Sequence, residues 1–523
     1  MTSVGEPIHA VADIVRVQAR MRPDCVAQVF ENRRTTYAEL DAYASRVAQG
    51  LIAEKCGKGT RIGFIGKGSD LYFEMFYGAS KSGAVPVAIN WRLAPPEIAF
   101  IINDAAVELL FVGAEYYDVI ESILPDCPSL RRVIALDGGH KSWPDFATWR
   151  DSFPAKDPMT DLAPDDDVIQ LYTSGTTGHP KGVQLTNANY ISIFKQGAIS
   201  GWANWRGDDT VLVCMPLFHV AGVNIGILGH LYGCKNIVLK DIDPKLMLKL
   251  IEKERITIAF IVPAVILFLL LDPEIKTTDV TSLRQLLYGA SPIAEELLKQ
   301  AQGVFKADFV QLYGMTETTG GAAHLPARAH DPALNKLRSC GLPNPDMEIA
   351  IFDENDQPVP VGKVGEIVIR GGSIMKGYWN REKATQESMR GGWFRSGDAG
   401  YFDEDGYLFI YDRVKDMIVS GGENIYPAEV ENALFGHPAI ADVAVIGVPD
   451  EKWGEAVKAM VVLKADQQVS EDEIIEFTRS RIARYKVPKS VEFVTALPRN
   501  PSGKILRREL RKPYWEGRER MIN

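Results

Sequence analysis

Up to about residue 345, short apolar runs alternate with amphipathic segments. Arg61–Gly66, Ala84–Ile89, Glu108–Val112, Arg132–Leu136, Thr210–Val213, Asn236–Leu239, Leu283–Tyr288 and Phe309–Tyr313 read as strands. Asp70–Ser82 and Ile293–Gln300 read as helices. This alternation predicts α/β layers with mostly parallel sheets. Such sheets place ligands beyond the C-terminal ends of their strands. The longest apolar stretch, Ile256–Leu271, contains Thr257 and Pro263. It is shorter than the roughly 20 residues a membrane helix needs, so it predicts a buried strand followed by a helix.

The texture changes after residue 345. Met347–Phe352, Gly365–Arg370 and Tyr407–Tyr411 read as strands separated by polar turns, which predicts a β-rich subdomain. The charge cluster Asp412–Asp416 then separates two apolar segments. We place the main boundary there, giving domains 1–414 and 415–523. The second unit predicts helices at Ala428–Leu434 and Glu471–Arg484, with strands at Val443–Ile446, Ala459–Leu463 and Val491–Val494. The expected fold is therefore a large N-terminal α/β and β-rich domain followed by a smaller α+β domain.

The 523 residues suffice for more than one core. With 46% hydrophobic and 24% charged residues the composition is that of an ordinary folded protein. The net charge of -10 argues against general nucleic-acid binding. Six sparse cysteines lack metal-finger spacing and favour a reducing compartment, hence a cytoplasmic location. No signal peptide is read at the N-terminus. The eight histidines show no convincing ligand spacing, and no Ser-His-Asp triad is read.

Candidate chemistry concentrates in Tyr172-Thr-Ser-Gly-Thr-Thr-Gly-His-Pro-Lys-Gly182, which follows the largely apolar run Val168–Leu171. It is not a Walker loop, because the lysine is displaced and no hydroxyl follows it. The hydroxyls of Thr173, Ser174, Thr176 and Thr177 can donate to phosphate oxygens. Gly175 and Gly178 permit close backbone approach, and Lys181 adds a mobile positive charge.

This loop resembles the phosphate-loop signature of the adenylate-forming enzymes, the acyl-CoA synthetases and their relatives. Further segments are similar to that family in order: Pro216–His219, Tyr288–Pro292, Tyr313–Glu317, Gly392–Asp398, Asp412–Lys415, Ser420–Pro427 and Pro498–Lys504. The resemblance covers essentially the whole chain. It implies a two-step reaction with ATP, Mg2+ and coenzyme A. A carboxylate attacks the α-phosphorus of ATP and releases pyrophosphate; a thiol then displaces AMP.

The resemblance also implies roles. Tyr313 would stack on the purine, Thr316 would bond a phosphate oxygen, and Glu317 would be an oxygen ligand for Mg2+. Gly289, Ala290 and Ser291 would line the adenine and acyl sites. Asp398 and Arg413 would meet the ribose or phosphate. Lys504 would touch both the attacking carboxylate and the α-phosphate. Lys415 would be a hinge about which the small domain rotates, bringing Gly421 and Gly422 to the thiol path. Arg481, Arg484, Lys486 and Lys489 would form a basic patch for CoA phosphates.

An acyl pocket is expected at Val220, Ala221, Gly222, Val223, Asn224 and Gly226, with Val262–Ala264 and Gly314. His219 is assigned a structural and gating role beside it. The pocket is mostly apolar and offers no obvious aspartate for an amino-acid ammonium group. The expected substrate is a hydrophobic carboxylic acid, with a medium- or long-chain fatty acid first and an aryl or steroid side-chain acid as the alternative. The chain carries no carrier module after Lys504, which favours free CoA over a carrier protein. A non-catalytic nucleotide-binding regulator is the rival from another class. A transient membrane contact aided by the basic tail and a homodimer are compatible with the sequence.

Overall fold

A computed structural model describes residues 7–173, 180–413, 416–420, 423–450, 453–479, 481–499 and 503–516. Among them the strands form sheets of nine, seven, four and five.

The nine-stranded sheet is parallel through its centre, where strands Asp308–Tyr313, Gln285–Gly289, Ile258–Ile261, Thr210–Val213, Lys235–Val238 and Val26–Phe30 lie side by side. The seven-stranded sheet has a parallel core of Asp167–Thr173, Val85–Ile89, Arg61–Ile65, Leu109–Val112 and Arg132–Ala135. These central strands are buried on both faces, which is why they read as continuous apolar runs.

Helix Asp70–Ser82 runs between these sheets, against Val26–Phe30 of one and Val85–Ile89 of the other. Ser69 caps its start by accepting from the Leu71 amide, and Gly83 ends it at φ 78°. Nearly every side chain of this helix is buried, so it is apolar or paired all round. Helix Tyr37–Ala53 packs beside it behind the capping box of Thr36 and Glu39.

The apolar stretch at 256–271 forms strand Ile258–Ile261 and helix Pro263–Leu271, with Pro263 in the first turn, where its missing N–H costs nothing. The β-rich region is a four-stranded antiparallel sheet of Met347–Phe352, Gly365–Gly371, Phe394–Phe402 and Leu408–Arg413.

From Ile418 onward a five-stranded sheet carries its own cores on both faces, one around Ile418, Val430, Val445 and Val461, the other around Ala444, Ile446 and Met460. Its centre is the long hairpin Ile440–Asp450 and Gly454–Leu463. Helix Glu471–Arg479 is shorter than the expected Glu471–Arg484, and Arg484–Lys486 forms a separate 3-10 turn. Lys415 and the 414/415 boundary lie outside the described residues.

The two units meet through a shared helix cap. Helix Glu295–Phe305 starts after Ala294, which has no side-chain acceptor. Asn432 of the C-terminal unit supplies one, its Oδ1 accepting from the Glu295 amide at 3.1 Å. Such a cap is worth about 0.5–2 kcal/mol. Asn432→Ala is therefore expected to reduce occupancy of this domain arrangement by about 2- to 30-fold. Distance distributions between spin labels at Lys306 and Glu476 check this; an unchanged distribution would show that the cap is not holding the units.

Candidate active site

The C-terminal ends of two neighbouring parallel strands carry several of the predicted residues. Strand Gln285–Gly289 delivers Gly289, exposed Ala290 and Ser291. Ala290 is held at φ 65°, a region unfavourable for a side chain with a Cβ. The neighbouring strand Asp308–Tyr313 ends at Tyr313, and its loop continues into the short 3-10 turn Thr316–Thr318. Gly314 lies against the returning backbone of this loop; a Cβ there would sit 2.6 Å from the Gly321 nitrogen. The loop closes through Ala322 N–H donating to Tyr313 O at 2.7 Å and Gly320 N–H donating to Met315 O at 2.9 Å.

The Tyr313 hydroxyl donates to Asp398 Oδ2 at 2.9 Å. This bond joins the nine-stranded sheet to the β-rich sheet, where Asp398 pairs in register with Arg413. Burial raises the Tyr313 phenol well above its ordinary range, with the Asp398 charge adding to the effect, so the group stays a donor.

The phosphate-binding candidate loop joins two antiparallel strands, Asp167–Thr173 and Lys181–Thr186, with Thr173 paired to Lys181. The strands on either side are thus antiparallel neighbours, in contrast to the strand and helix that flank a Walker loop. Ser174, Gly175, Thr176, Thr177 and Gly178 lie outside the described residues, as do Gly421 and Gly422. Lys181 Nζ is 4.9 Å from the centroid of the Tyr378 ring. The hydroxyl of the same tyrosine donates to Glu317 Oε1 at 2.9 Å. Tyr378 was not singled out from sequence. Its signal was the pair Tyr378-Trp379 after Gly377 in an otherwise non-periodic stretch.

Glu317 fits Mg2+ in one respect. It offers carboxylate oxygen in a place where, among the described residues, no group of three or more His, Cys, Asp or Glu side chains could enclose a metal. A single carboxylate completed by substrate phosphates is the usual way Mg2+ is held.

Lys504 stands on a tight hairpin in which Arg499 and Ile505 pair. The Arg499 guanidinium donates to Gly503 O and to Asp442 Oδ2, each at 2.7 Å. Gly503 is at φ 79°, and a Cβ on it would be 2.9 Å from Val262 Cγ2, so the hairpin lies directly on the large domain. Lys504 shares a cleft of about 110 Å3 with Pro263, Ala264, Ser291 and Pro292.

The expected pocket residues divide by direction. Val220 and Asn224 flank Gly320. Asn224 is bonded at both ends of its amide, accepting from the Tyr190 hydroxyl at 3.1 Å and donating to Thr319 O at 2.8 Å. Gly222 is turned onto the carbonyls of Met215 and Pro216, and Gly226 onto the Phe73 ring. Their small size serves packing. In the basic patch, Lys486 is bonded to both Glu429 oxygens at 2.7 Å, and Arg481 stacks 3.5 Å from the Phe477 ring centroid.

His219 stands at the N-terminal boundary of helix Val220–Leu231 without a side-chain capping bond, its ring centroid 4.6 Å from that of Phe218. Among the described residues its Nε2 is buried without a hydrogen-bond partner. Burial lowers its pKa to about 4, with nearby Arg92 contributing. It is thus a poor base at neutral pH. Burial likewise lowers His230 to about 3 and His330 to about 4.

In the unfolded chain these rings take up protons near pH 6.5; folded, they do not until much lower. Their contribution to stability is complete above pH 6.5 and is lost as pH falls toward 4. Each should cost about 2 kcal/mol at pH 5. Urea denaturation at pH 7.5 and 5.0 reads this loss, and equal stability at both would contradict it.

Residues 15–379 match the family model described as "AMP-binding enzyme", and residues 429–504 match the "AMP-binding enzyme C-terminal domain". The chain is 40% identical over 519 residues to the fatty acid–[acyl-carrier-protein] ligase ScoC of Streptomyces coeruleorubidus, covering 99% of this chain and 98% of the relative. It is 39% identical over 507 residues to the long-chain-fatty-acid–CoA ligase FadD13 of Mycobacterium tuberculosis, covering 96% and 98%. Among solved structures, the anthranilate CoA ligase AuaEII in complex with anthranoyl-AMP matches with a TM-score of 0.90 at 26% identity, covering 98% and 99%. A Mycobacterium tuberculosis fatty acyl CoA synthetase matches with a TM-score of 0.76 at 37% identity, covering 98% and 99%. The chain belongs to the AMP-binding enzyme family and is an adenylate-forming acid–thiol ligase.

Proposed function

We propose that the protein converts a hydrophobic carboxylic acid, first among them a medium- or long-chain fatty acid, to its CoA thioester. The observation that carries this reading is the placement of Lys504 in one cleft with Ser291 and the ends of the parallel strands.

In the first half-reaction a carboxylate oxygen bonds to the α-phosphorus of ATP. The bond from that phosphorus to the β-bridging oxygen breaks, and pyrophosphate leaves. Carboxylic acids are ionised at neutral pH, so no base is needed. Lys504 orients the carboxylate and offsets charge building on the α-phosphoryl oxygens. Tyr313 stacks on the purine, while Asp398 accepts from the ribose hydroxyls. Thr316 and the hydroxyls of Thr173, Ser174, Thr176 and Thr177 hold phosphate oxygens. Lys181 balances the charge of the departing pyrophosphate. Mg2+ bound at Glu317 would neutralise triphosphate charge.

In the second half-reaction the CoA thiolate attacks the acyl carbonyl carbon, and AMP leaves with the former carboxylate oxygen. The small domain turns about Lys415 between the two steps, withdrawing Lys504 and bringing Gly421 and Gly422 to the thiol path. The weak basicity of His219 supports a gating role rather than removal of the thiol proton. The fatty-acid choice is supported by the names of the relatives at 39–40% identity. An aryl acid is the second reading, since a feruloyl-CoA synthase of Amycolatopsis is 37% identical over 502 residues. A carrier-protein thiol is the alternative acceptor, because that is the acceptor named for ScoC.

The test supplies purified protein with ATP, Mg2+, CoA and a panel of fatty, aryl and steroid acids, following AMP and acyl-CoA together by mass spectrometry. AMP with fatty acyl-CoA is expected. AMP without acyl-CoA would move the acceptor to a carrier protein, and neither product with any acid would overturn the reading.

A further inference from the structure

Tyr378 touches two residues that the proposed reaction assigns to phosphate charge, Glu317 through Mg2+ and Lys181 directly. Its hydroxyl donates to Glu317 Oε1 at 2.9 Å, and Lys181 Nζ stands 4.9 Å from its ring centroid. The segment carrying it is fixed from both sides. Met375 N–H donates to Glu317 O at 2.8 Å, which ties it to the loop after Tyr313. Gly377 and Tyr378 pair with Gln184 and Val183 of the strand that begins at Lys181, and Trp379 N–H donates to Gly182 O at 2.7 Å.

Beyond Tyr378 the segment is anchored by Trp379. Its Nε1 donates to Asp104 O at 3.0 Å, and the Arg61 guanidinium lies 3.6 Å from the centroid of its ring. Arg61 is itself bonded to Asp167, on the strand leading into the phosphate-loop candidate. The strap Met375–Trp379 therefore sets the backbone positions of Glu317 and Lys181 relative to each other.

The side chain does what the backbone cannot. A carboxylate and an ammonium on facing segments attract, and a direct ion pair would withdraw both from the nucleotide. The Tyr378 ring lies against the ammonium as a cation–π partner, while its hydroxyl, donating to Glu317 Oε1, fixes the direction of the carboxylate. Burial and the Glu317 charge raise the phenol well above its ordinary range, so it remains a donor.

We propose that Tyr378 is a positioning residue that orients the Glu317 carboxylate for Mg2+ and keeps Lys181 from neutralising it, so that metal and phosphate charges are met separately. This rests on the function proposed above.

The test is calorimetric titration of ATP into wild type, Tyr378→Phe and Tyr378→Leu, with MgCl2 over a range of concentrations and with EDTA. Tyr378→Phe keeps the ring and loses the bond to Glu317. It should raise the Mg2+ concentration for half-maximal enhancement of ATP binding about 10-fold, while binding in EDTA changes less than about twofold. Tyr378→Leu removes the ring as well and should also weaken ATP binding in EDTA. If Tyr378→Leu does not fold, the phenylalanine variant decides alone.

A Tyr378→Phe protein with wild-type Mg2+ dependence would overturn the proposal, as would equal weakening with and without Mg2+. Wild type that bound ATP under neither condition would instead remove the functional reading on which the proposal stands.

Discussion

Lys504→Ala is expected to slow acyl-adenylate formation by about 10²–10³-fold, the range found when one preorganised donor to developing charge is removed. Thioester formation from preformed acyl-adenylate should fall by less than about tenfold. The asymmetry follows from the two chemical steps. Charge builds on the α-phosphoryl group in the first, whereas the second breaks a bond at the acyl carbon and, on the proposed rotation, proceeds with Lys504 withdrawn.

The Lys504 hairpin is held by Arg499, Asp442 and the pairing of Arg499 with Ile505, none of which the alanine variant removes. A folding defect is therefore not the expected cause of the loss. Separate assays of pyrophosphate exchange and of CoA consumption from synthetic acyl-AMP read the two steps. Equal loss in both would overturn the two-state assignment of Lys504.

The second large effect concerns stability. Glu74 sits 2% exposed on helix Asp70–Ser82 between the two large sheets. Arg150 Nη1 donates to its Oε2 at 2.6 Å, binds Asp151 through its other nitrogens and lies 3.9 Å from the Tyr43 ring centroid. One guanidinium thus ties helix Phe146–Asp151 to helices Tyr37–Ala53 and Asp70–Ser82.

Burial already raises the Glu74 carboxyl to about 7, with the Arg150 charge holding it down. Arg150→Ala removes that charge and a buried hydrogen bond, so the carboxyl must take up a proton to stay buried at pH 7. The variant should cost about 3–5 kcal/mol. The double variant with Glu74→Gln should recover part of that loss, since an amide needs no proton taken up to be buried at pH 7. Urea denaturation at pH 7 measures both. A single-variant loss below about 1 kcal/mol would show that the pair is solvated in a way its burial does not suggest.

Much of the fold was legible because local signals agreed with burial. Helix Asp70–Ser82 falls at its expected bounds because Ser69 and Gly83 mark both ends. The stretch Ile256–Leu271 splits at Pro263 because proline suits the first helical turn, where its missing N–H leaves no bond unmade. Helix Glu471–Arg479 was overextended because the charged and apolar spacing continues past Arg479, while the chain turns at Arg484–Lys486.

The candidate site was legible only where a short ordered motif carried it. Tyr313 and Asp398 were each singled out, but their hydrogen bond spans 85 positions and no local pattern announces it. Tyr378 shows this more sharply. Its meaning lies in reaching Glu317, 61 positions away, and Lys181 on a different strand. Gly222 and Gly226 illustrate the converse. Small residues in an apolar helix suggested room for a ligand, and the structure gives that room to neighbouring carbonyls and to Phe73.

The central claim is that a carboxylate oxygen becomes bonded to the α-phosphorus of ATP. The most direct measurement supplies an accepted acid labelled with 18O in both carboxylate positions and weighs the AMP released during CoA thioester formation. The account predicts AMP carrying one 18O, left on its phosphate when the thiol breaks the acyl carbon–oxygen bond. AMP formed without the label would contradict it.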